Sequence, residues 1–302
     1  MSYLITANTL AEIVLLGKDA LREAPIVSSQ DTRVRELTNF SFCIRNPQSR
    51  LILPSVINFD LIQAIGESVL MFSPTSELKY YKWLNEDWKY FSDDGVSLYG
   101  AYGARVTPFI NDVVDKIRHD VTTRQASIPI LTIRDSVVKT KNFPCINTIN
   151  FLVRNGKLEC HVYMRSNDFI GKLLYDVFIF TFVQEVIANE LNLDVGSYYH
   201  TATSMHVYEK DWETLRSIKD IRPVNFSVSY ILDDAFLLAN LYQKMVDNSD
   251  FSYAMLAKFD PFGGLLMKEH NYRSSGLKYF VVNVRNSAWV RPYVQHWSDN
   301  LV

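Results

Sequence analysis

The sequence predicts an α/β (α+β) fold: a single domain built on a mixed β-sheet flanked by helices. Three observations carry that reading. Two alternating runs meet at an Asn155-Gly156 pair, the composition of a tight hairpin turn. Two stretches, 59–72 and 109–121, space their apolar residues at helical intervals. A chain of 302 residues with 48% hydrophobic content is long enough for a large core, and no internal repeat or low-complexity linker divides it.

In chain order, Phe40 to Ile44 alternates like a strand. From Phe59 to Phe72, Leu61, Ile62, Ile65, Val69 and Leu70 share one helical face, and Pro74 stops the run. Phe109 to Val121 repeats the pattern through Ile110, Val113, Val114 and Ile117. Asn147 to Val153 is a strand by the alternation of Ile149, Phe151 and Val153, and Leu158 to Met164 returns beside it. A hairpin brings its two ends together, so Cys145 before it and Arg165 after it are expected to converge. Phe169 to Leu191 reads as a long buried helix carrying Asp176. Tyr198 to Tyr208 is extended and holds His200, His206 and Tyr208. Phe236 to Val246 reads as a helix, Leu277 to Val284 as a strand, and Ala288 to Trp297 as a short helix. Asp220 to Pro223 is the one candidate boundary.

A net charge of −2 and a pI near 6.3 supply no basic field for nucleic acid or a membrane surface. The three cysteines, Cys43, Cys145 and Cys160, are odd in number and lack metal-ligand spacing. No disulfide framework and no metal site are expected, and a reducing compartment fits. Met1 to Ile5 lacks the basic start and apolar core of a signal peptide. The apolar stretch Val177 to Val183 is too short to span a bilayer. A soluble, cytoplasmic protein is expected.

Cys145 follows a proline and precedes a strand. A thiol with a lowered pKa is the most capable side-chain nucleophile near neutral pH, although a lone cysteine is as readily a core residue; Cys43 and Cys160 are read as core. Arg165-Ser166 offers a guanidinium fork and a hydroxyl, a natural phosphate clamp, against the plainer reading of a solvated arginine. His206 and Tyr208 share a strand face at period two and could hold sugar hydroxyls or simply pack. Glu67 lies between Ile65 and Val69 on an apolar helix face. A buried glutamate suits acid–base work; a salt-bridged surface glutamate is the alternative.

The joint order of these residues resembles the thymidylate synthase superfamily over about 58–211, with 212–302 divergent. Pro144-Cys145 is similar to that family's nucleophile. Tyr163-Met164-Arg165-Ser166-Asn167-Asp168 resembles its Tyr-Gln-Arg-Ser-x-Asp signature, and Met205-His206-Val207-Tyr208 its His-x-Tyr. Gly66-Glu67-Ser68 resembles the site of the catalytic glutamate. Gly100-Ala101-Tyr102-Gly103 resembles the Tyr-Gly turn beside it, and Thr123-Arg124-Gln125 the Ser-Arg-Arg segment that enters the other subunit's phosphate site. The resemblance implies Cys145, Glu67, Asp176 and Tyr102 as catalytic residues. It implies Arg165, Ser166, Asn147, His206, Tyr208 and Arg124 as nucleotide-binding residues, and Asp168 and Trp88 as contacts for 5,10-methylenetetrahydrofolate, the co-substrate. It also implies a homodimer, paired through the sheet face, with a shared phosphate site. Arg33 or Arg35 is a candidate for a further phosphate arginine. The ending Asp299 to Val302 need not form the family's C-terminal lid.

The departures point to a branch. Cys145-Ile146-Asn147-Thr148 and Ser204-Met205-His206 are closer to the bacteriophage deoxycytidylate hydroxymethylases. Asp176 stands where uracil-using members carry asparagine. An asparagine amide donates to O4 of uracil and accepts from N3, whereas cytosine offers a donor amine and a bare N3. A carboxyl fits cytosine once it or N3 carries a proton, and a mismatched buried polar pair costs roughly 1–3 kcal/mol. The expected activity is therefore a cytidylate 5-hydroxymethylase acting on CMP or dCMP, in which water quenches the one-carbon adduct. A methylase of thymidylate synthase type and a non-catalytic nucleotide-binding homologue are the alternatives. The sequence does not choose between ribose and deoxyribose.

Overall fold

The computed structural model describes residues 3–29, 32–53, 57–249, 252–259 and 262–275. Its elements run β1 (Tyr3–Ala7), α1 (Leu10–Arg22), β2 (Ile26–Ser29), β3 (Thr32–Ile44), β4 (Leu51–Leu53), α2 (Leu61–Leu70), α3 (Leu78–Leu84), α4 (Tyr102–His119), β5 (Ser127–Pro129), β6 (Ile146–Arg154), β7 (Lys157–Asp168), α5 (Leu173–Glu190), β8 (Asp194–Tyr208), α6 (Trp212–Ser217), β9 (Arg222–Val224), α7 (Leu232–Val246), α8 (Tyr253–Leu256) and α9 (Phe262–Ser275). A short 3-10 turn over Glu86–Phe91 carries Trp88.

Seven strands form one mixed sheet in the order β1-β3-β8-β7-β6-β5, with β2 paired to β3. The β1–β3 and β7–β8 pairs are parallel and the others antiparallel. The hairpin forms as its sequence predicts. Asn155 and Gly156 take φ of 52° and 74°, the paired left-handed geometry that matches strand twist and that glycine tolerates without strain. Arg222–Val224 pairs with β4 in a small second sheet, so the candidate boundary at Asp220 to Pro223 leads into a strand that joins Leu51–Leu53.

One face of the large sheet is covered by α5, which is buried around nearly its whole circumference, as a helix sandwiched between a sheet and other helices must be. α2 packs on it, joined by α7 and α9. The Phe178, Phe182, Phe226 and Phe262 rings interlock where these helices meet. The other face carries polar and aromatic side chains. Tyr163 is 44% exposed in mid-strand, His161 stacks on Tyr199 at 4.3 Å, and Ser41 hydrogen-bonds Thr201 at 3.0 Å.

Several boundaries differ from the periodicity. The helix expected from Phe169 begins only at Leu173. Asp168 Oδ1 accepts from the N–H groups of Ile170 (3.1 Å) and Gly171 (3.0 Å) and holds those residues in a turn. The helix expected from Phe109 starts at Tyr102, so the Tyr-Gly turn is in fact a first helical turn. A Cβ on Gly103 would lie 2.0 Å from the Leu70 carbonyl oxygen, so only glycine lets α4 begin against the end of α2. The first expected helix is trimmed to Leu61–Leu70 because the Asp60 side chain caps it, accepting from Ile62 and Gln63 N–H. The strand and helix expected within 277–297, and the 299–302 ending, lie outside the described residues.

A single irregularity crosses the sheet. On each of four strands, strict alternation of buried residues breaks at one shared level, with two consecutive residues left unburied: between Ile146 and Ile149 on β6, Met164 and Asn167 on β7, Ala202 and Met205 on β8, and Leu37 and Phe40 on β3, where it breaks again between Val34 and Leu37. These positions neighbour one another in the ladder, since Met164 pairs with Ile146 and Ala202, and Ala202 with Phe40. Asn39 sits in the left-handed region at φ 53°. A one-residue slip exchanges the two faces of a strand, so residues past this line point to the opposite side from that expected by counting.

Candidate active site

The slip line is where the predicted residues gather. Arg165 N–H donates to the Cys145 carbonyl at 2.8 Å, closing the mouth of the β6–β7 hairpin. The guanidinium then folds back. Nε donates to Pro144 O at 2.9 Å and Nη2 to Phe143 O at 3.1 Å. Nη2 also stands 3.6 Å from Cys145 Sγ, with the plane over the Phe143 ring. Burial pushes the Cys145 thiol up. Arg165 pulls it down, Asp176 pushes it up again and Lys172 pulls it down. A thiolate therefore depends on the guanidinium beside it. Ser166 follows with its hydroxyl uncommitted among the described residues, and Asn147, at the bulge in β6, keeps a buried Oδ1 with no partner.

Tyr102, placed by the first turn of α4, reaches the same point. Its phenol is raised well above its ordinary value by burial first and then by Cys145 and Asp176, while a hydrogen bond with the Cys145 backbone opposes the shift.

Asp176 is buried in the first turn of α5, 6% exposed. Asn167 Nδ2 donates to its Oδ2 at 2.6 Å. Burial pushes the carboxyl up to about 7; Lys172 and the Asn167 hydrogen bond oppose that, and Glu67 and Asp168 add to it. Asn167 Oδ1 is itself buried without a partner.

Glu67 faces the pair from α2. Gln63 Nε2 (2.8 Å) and Trp88 Nε1 (3.1 Å) both donate to its Oε1. No ion pair holds it among the described residues. Burial raises its pKa, with Lys172 the largest opposing influence.

His206 and Tyr208 stand edge to face at 5.0 Å. Burial raises the Tyr208 phenol, with Asp168 and Cys145 adding to the shift. Asp168 spends Oδ1 on the turn described above and leaves Oδ2 uncommitted among the described residues. An indole face at Trp88 and a free carboxylate oxygen at Asp168 suit a flat heteroaromatic ring with amino groups, which is what a pterin presents. Arg124 stands apart. It is exposed in the loop after α4 and makes no hydrogen bond or ion pair among the described residues. Arg33 and Arg35 stack on Trp212, Arg33 pairing with Glu209 at 2.7 Å and Arg35 donating to Ala24 O at 3.0 Å.

Two residues at the site escaped the sequence reading. Asn167 occupies the variable position of the Arg-Ser-x-Asp signature, and nothing in its type marked it. Lys172 carried a signal: a lysine at the start of a helix opposes the helix dipole.

Comparisons with known proteins agree with this geometry. A family model described as thymidylate synthase matches residues 61–231, past the Asp211 at which the motif resemblance fades. The chain is 29% identical over 253 residues to a deoxyuridylate hydroxymethyltransferase of Bacillus phage SP01, covering 78% of this chain and 66% of that one. It is 26% identical over 188 residues to the protein of the same name from Delftia phage PhiW-14, covering 57% and 53%. To the bifunctional dihydrofolate reductase-thymidylate synthase of Zea mays it is 25% identical over 181 residues, covering 60% and 33%. The chain thus spans less than two thirds of the length of each of these relatives. With the family match covering more than half of its residues, the chain belongs to the thymidylate synthase family.

Proposed function

We propose that the protein is a folate-dependent one-carbon transferase that hydroxymethylates C5 of a pyrimidine nucleoside monophosphate, with cytidylate as the preferred substrate. The observation that carries it is the Cys145 thiol 3.6 Å from the Arg165 guanidinium, with the raised carboxyls of Glu67 and Asp176 acting on the same centre. Cys145 adds to C6 of the base, which makes C5 nucleophilic. Bound methylenetetrahydrofolate supplies the one-carbon unit. Arg165 and Ser166 hold the phosphate, His206 and Tyr208 the sugar, and Asp168 and Trp88 the pterin. Glu67 moves protons at C5. The buried, unpartnered Oδ1 of Asn147 suits a site that admits water to the exocyclic carbon.

Asp176 supports the base assignment. A carboxyl that titrates near 7 can hand its proton to N3 of cytosine as C6 is attacked. Uracil is the second reading, favoured by the names of the two phage relatives. A neutral carboxyl presents one donor and one acceptor, as asparagine does, and so also fits O4 and N3–H of uracil. Incubation with CMP, dCMP or dUMP and methylenetetrahydrofolate separates the readings. The expected result is a 5-hydroxymethyl product, fastest with a cytidylate, and no dihydrofolate. A methylated product accompanied by dihydrofolate sinks the hydroxymethylase assignment, and turnover of dUMP alone sinks the cytosine assignment.

A homodimer through the polar sheet face completes the proposal. The uncommitted, exposed Arg124 suits a role in the partner's phosphate site, and the surface around Tyr163, His161 and Tyr199 suits burial against a second copy.

A further inference from the structure

Lys172 occupies a position that local physics disfavours. It is the N-cap of α5 and makes no capping hydrogen bond, where Ser, Thr, Asp or Asn would satisfy the first free N–H groups. Its charge also sits at the positive end of the helix dipole. The side chain does not escape to solvent. Nζ lies 5.2 Å from the centre of the Trp88 ring and 5.5 Å from that of Tyr175, and makes no hydrogen bond or ion pair among the described residues. Two aromatic faces thus hold an ammonium whose three donors remain open. The Trp88 beneath it donates to Glu67. Lys172 is also the largest electrostatic influence opposing the burial of both Glu67 and Asp176. A residue that breaks the capping and dipole rules of its own helix while facing two buried acids marks a functional demand.

We infer that Lys172 is a positioning residue of the active site: its ammonium, docked across Trp88 and Tyr175, is the fixed counter-charge to the Glu67 and Asp176 carboxyls and sets how that pair shares protons with the pyrimidine. The inference rests on the proposed function for its chemistry. The groups facing the carboxyls are few. Asp60 caps α2 beside Glu67, Tyr81 comes from α3, Asp168 and Arg165 come from β7, Cys145 stands before β6, Tyr102 opens α4, Tyr175 lies on α5 and Tyr198 on β8. Of these, only Arg165 is a cation, and its Nε and Nη2 are engaged with the Phe143 and Pro144 carbonyls and the Cys145 thiol. Among the described residues, Lys172 is the cation left for the carboxyls.

The test compares wild type, Lys172→Met and Lys172→Arg. Carboxyl 13C NMR titration of the free protein gives the midpoints of Asp176 and Glu67, and release of tritium from C5 of labelled dCMP and dUMP gives a pH–rate profile. In Lys172→Met the carboxyl midpoints and the matching limb of the profile are expected to move up by about one pH unit or more. Lys172→Arg is expected to restore both. Superimposable midpoints in all three proteins would overturn the inference. If wild type releases no tritium while the midpoints still move, the proposed reaction fails and the role of Lys172 as counter-charge stands.

Discussion

The two ends of α5 treat a buried acid in opposite ways. Near its C-terminal end, Glu185 is 1% exposed and fully engaged. Arg50, itself 0% exposed, donates to Oε2, and Gln48 Nε2 and Val228 N–H donate to Oε1. Burial pulls the Arg50 guanidinium down and Glu185 pushes it back up. In the first turn of the helix, Asp176 has one amide donor and titrates near 7. Both acids are shut away from water on one apolar helix. The first has a cation in contact and three donors, so it serves to tie β4's approach and the segment after β9 to the helix. The second is left short of partners, and its remaining capacity is turned towards the place where Cys145, Tyr102 and Glu67 meet. A buried acid is structural or reactive according to how completely its neighbours satisfy it.

The largest effect is expected at the structural end. Arg50→Met leaves Glu185 buried without its cation and should lower stability by about 3–5 kcal/mol in urea unfolding. The double change Arg50→Met with Glu185→Leu should recover most of that, because an apolar pair of similar volume needs no desolvation. Equal losses in the single and double variants would mean that the pair is not what holds this region.

At the reactive end the same kind of change should act on chemistry. Asp176→Asn is expected to shift preference from cytidylate towards uridylate by about ten- to a hundredfold in kcat/KM, roughly 1–3 kcal/mol of hydrogen-bond mismatch. It should also alter the response of stability to pH. Between about pH 4, where an unfolded aspartate ionises, and pH 7, where the folded one does, the unfolded chain holds fewer protons. Stability therefore falls as pH rises through that window, by at most about 1.4 kcal/mol per unit. Glu67, also raised, adds a fall of the same sign. Asparagine at 176 removes one contribution, and denaturation at pH 5 and pH 7 should show a smaller difference than in wild type. An unchanged difference would mean that Asp176 is ionised throughout.

The smallest effect is expected at Arg124, away from the gathered residues. Arg124→Ala should raise the nucleotide KM by about three- to tenfold (~0.7–1.4 kcal/mol) with kcat held. Wild-type KM in that variant would count against a phosphate site shared between subunits.

Much of the site was legible because it is local. Pro144-Cys145, the Asn155-Gly156 turn and Arg165-Ser166 are one hairpin, and a hairpin closes its own ends. Glu67 was legible as a polar residue on an apolar helical face. Lys172 and Asn167 were not singled out, because their meaning depends on neighbours from other elements: Trp88 and Tyr175 under one, Asp176 beside the other. The start of α4 at Tyr102 was missed for a similar reason. No apolar period marks that turn, and its place comes from the close approach of Gly103 to the Leu70 carbonyl.

By itself the sequence determined the class of fold, the hairpin, the convergence of Cys145 and Arg165 at its mouth, and the carboxyls on their helices, since turn chemistry and periodicity are properties of neighbouring residues. Only the tertiary structure decided which way the strand residues face at the site. Four neighbouring strands slip by one residue along a common line through Ile146, Met164, Ala202 and Phe40. Past it, Met205 and Val207 take the core and His206 pairs with Tyr208 on the opposite side. A strand alone has no means of keeping such a slip, because strict alternation is its lowest-cost pattern. It persists here because the three ladders joining these four strands share it and each strand holds its neighbour in place.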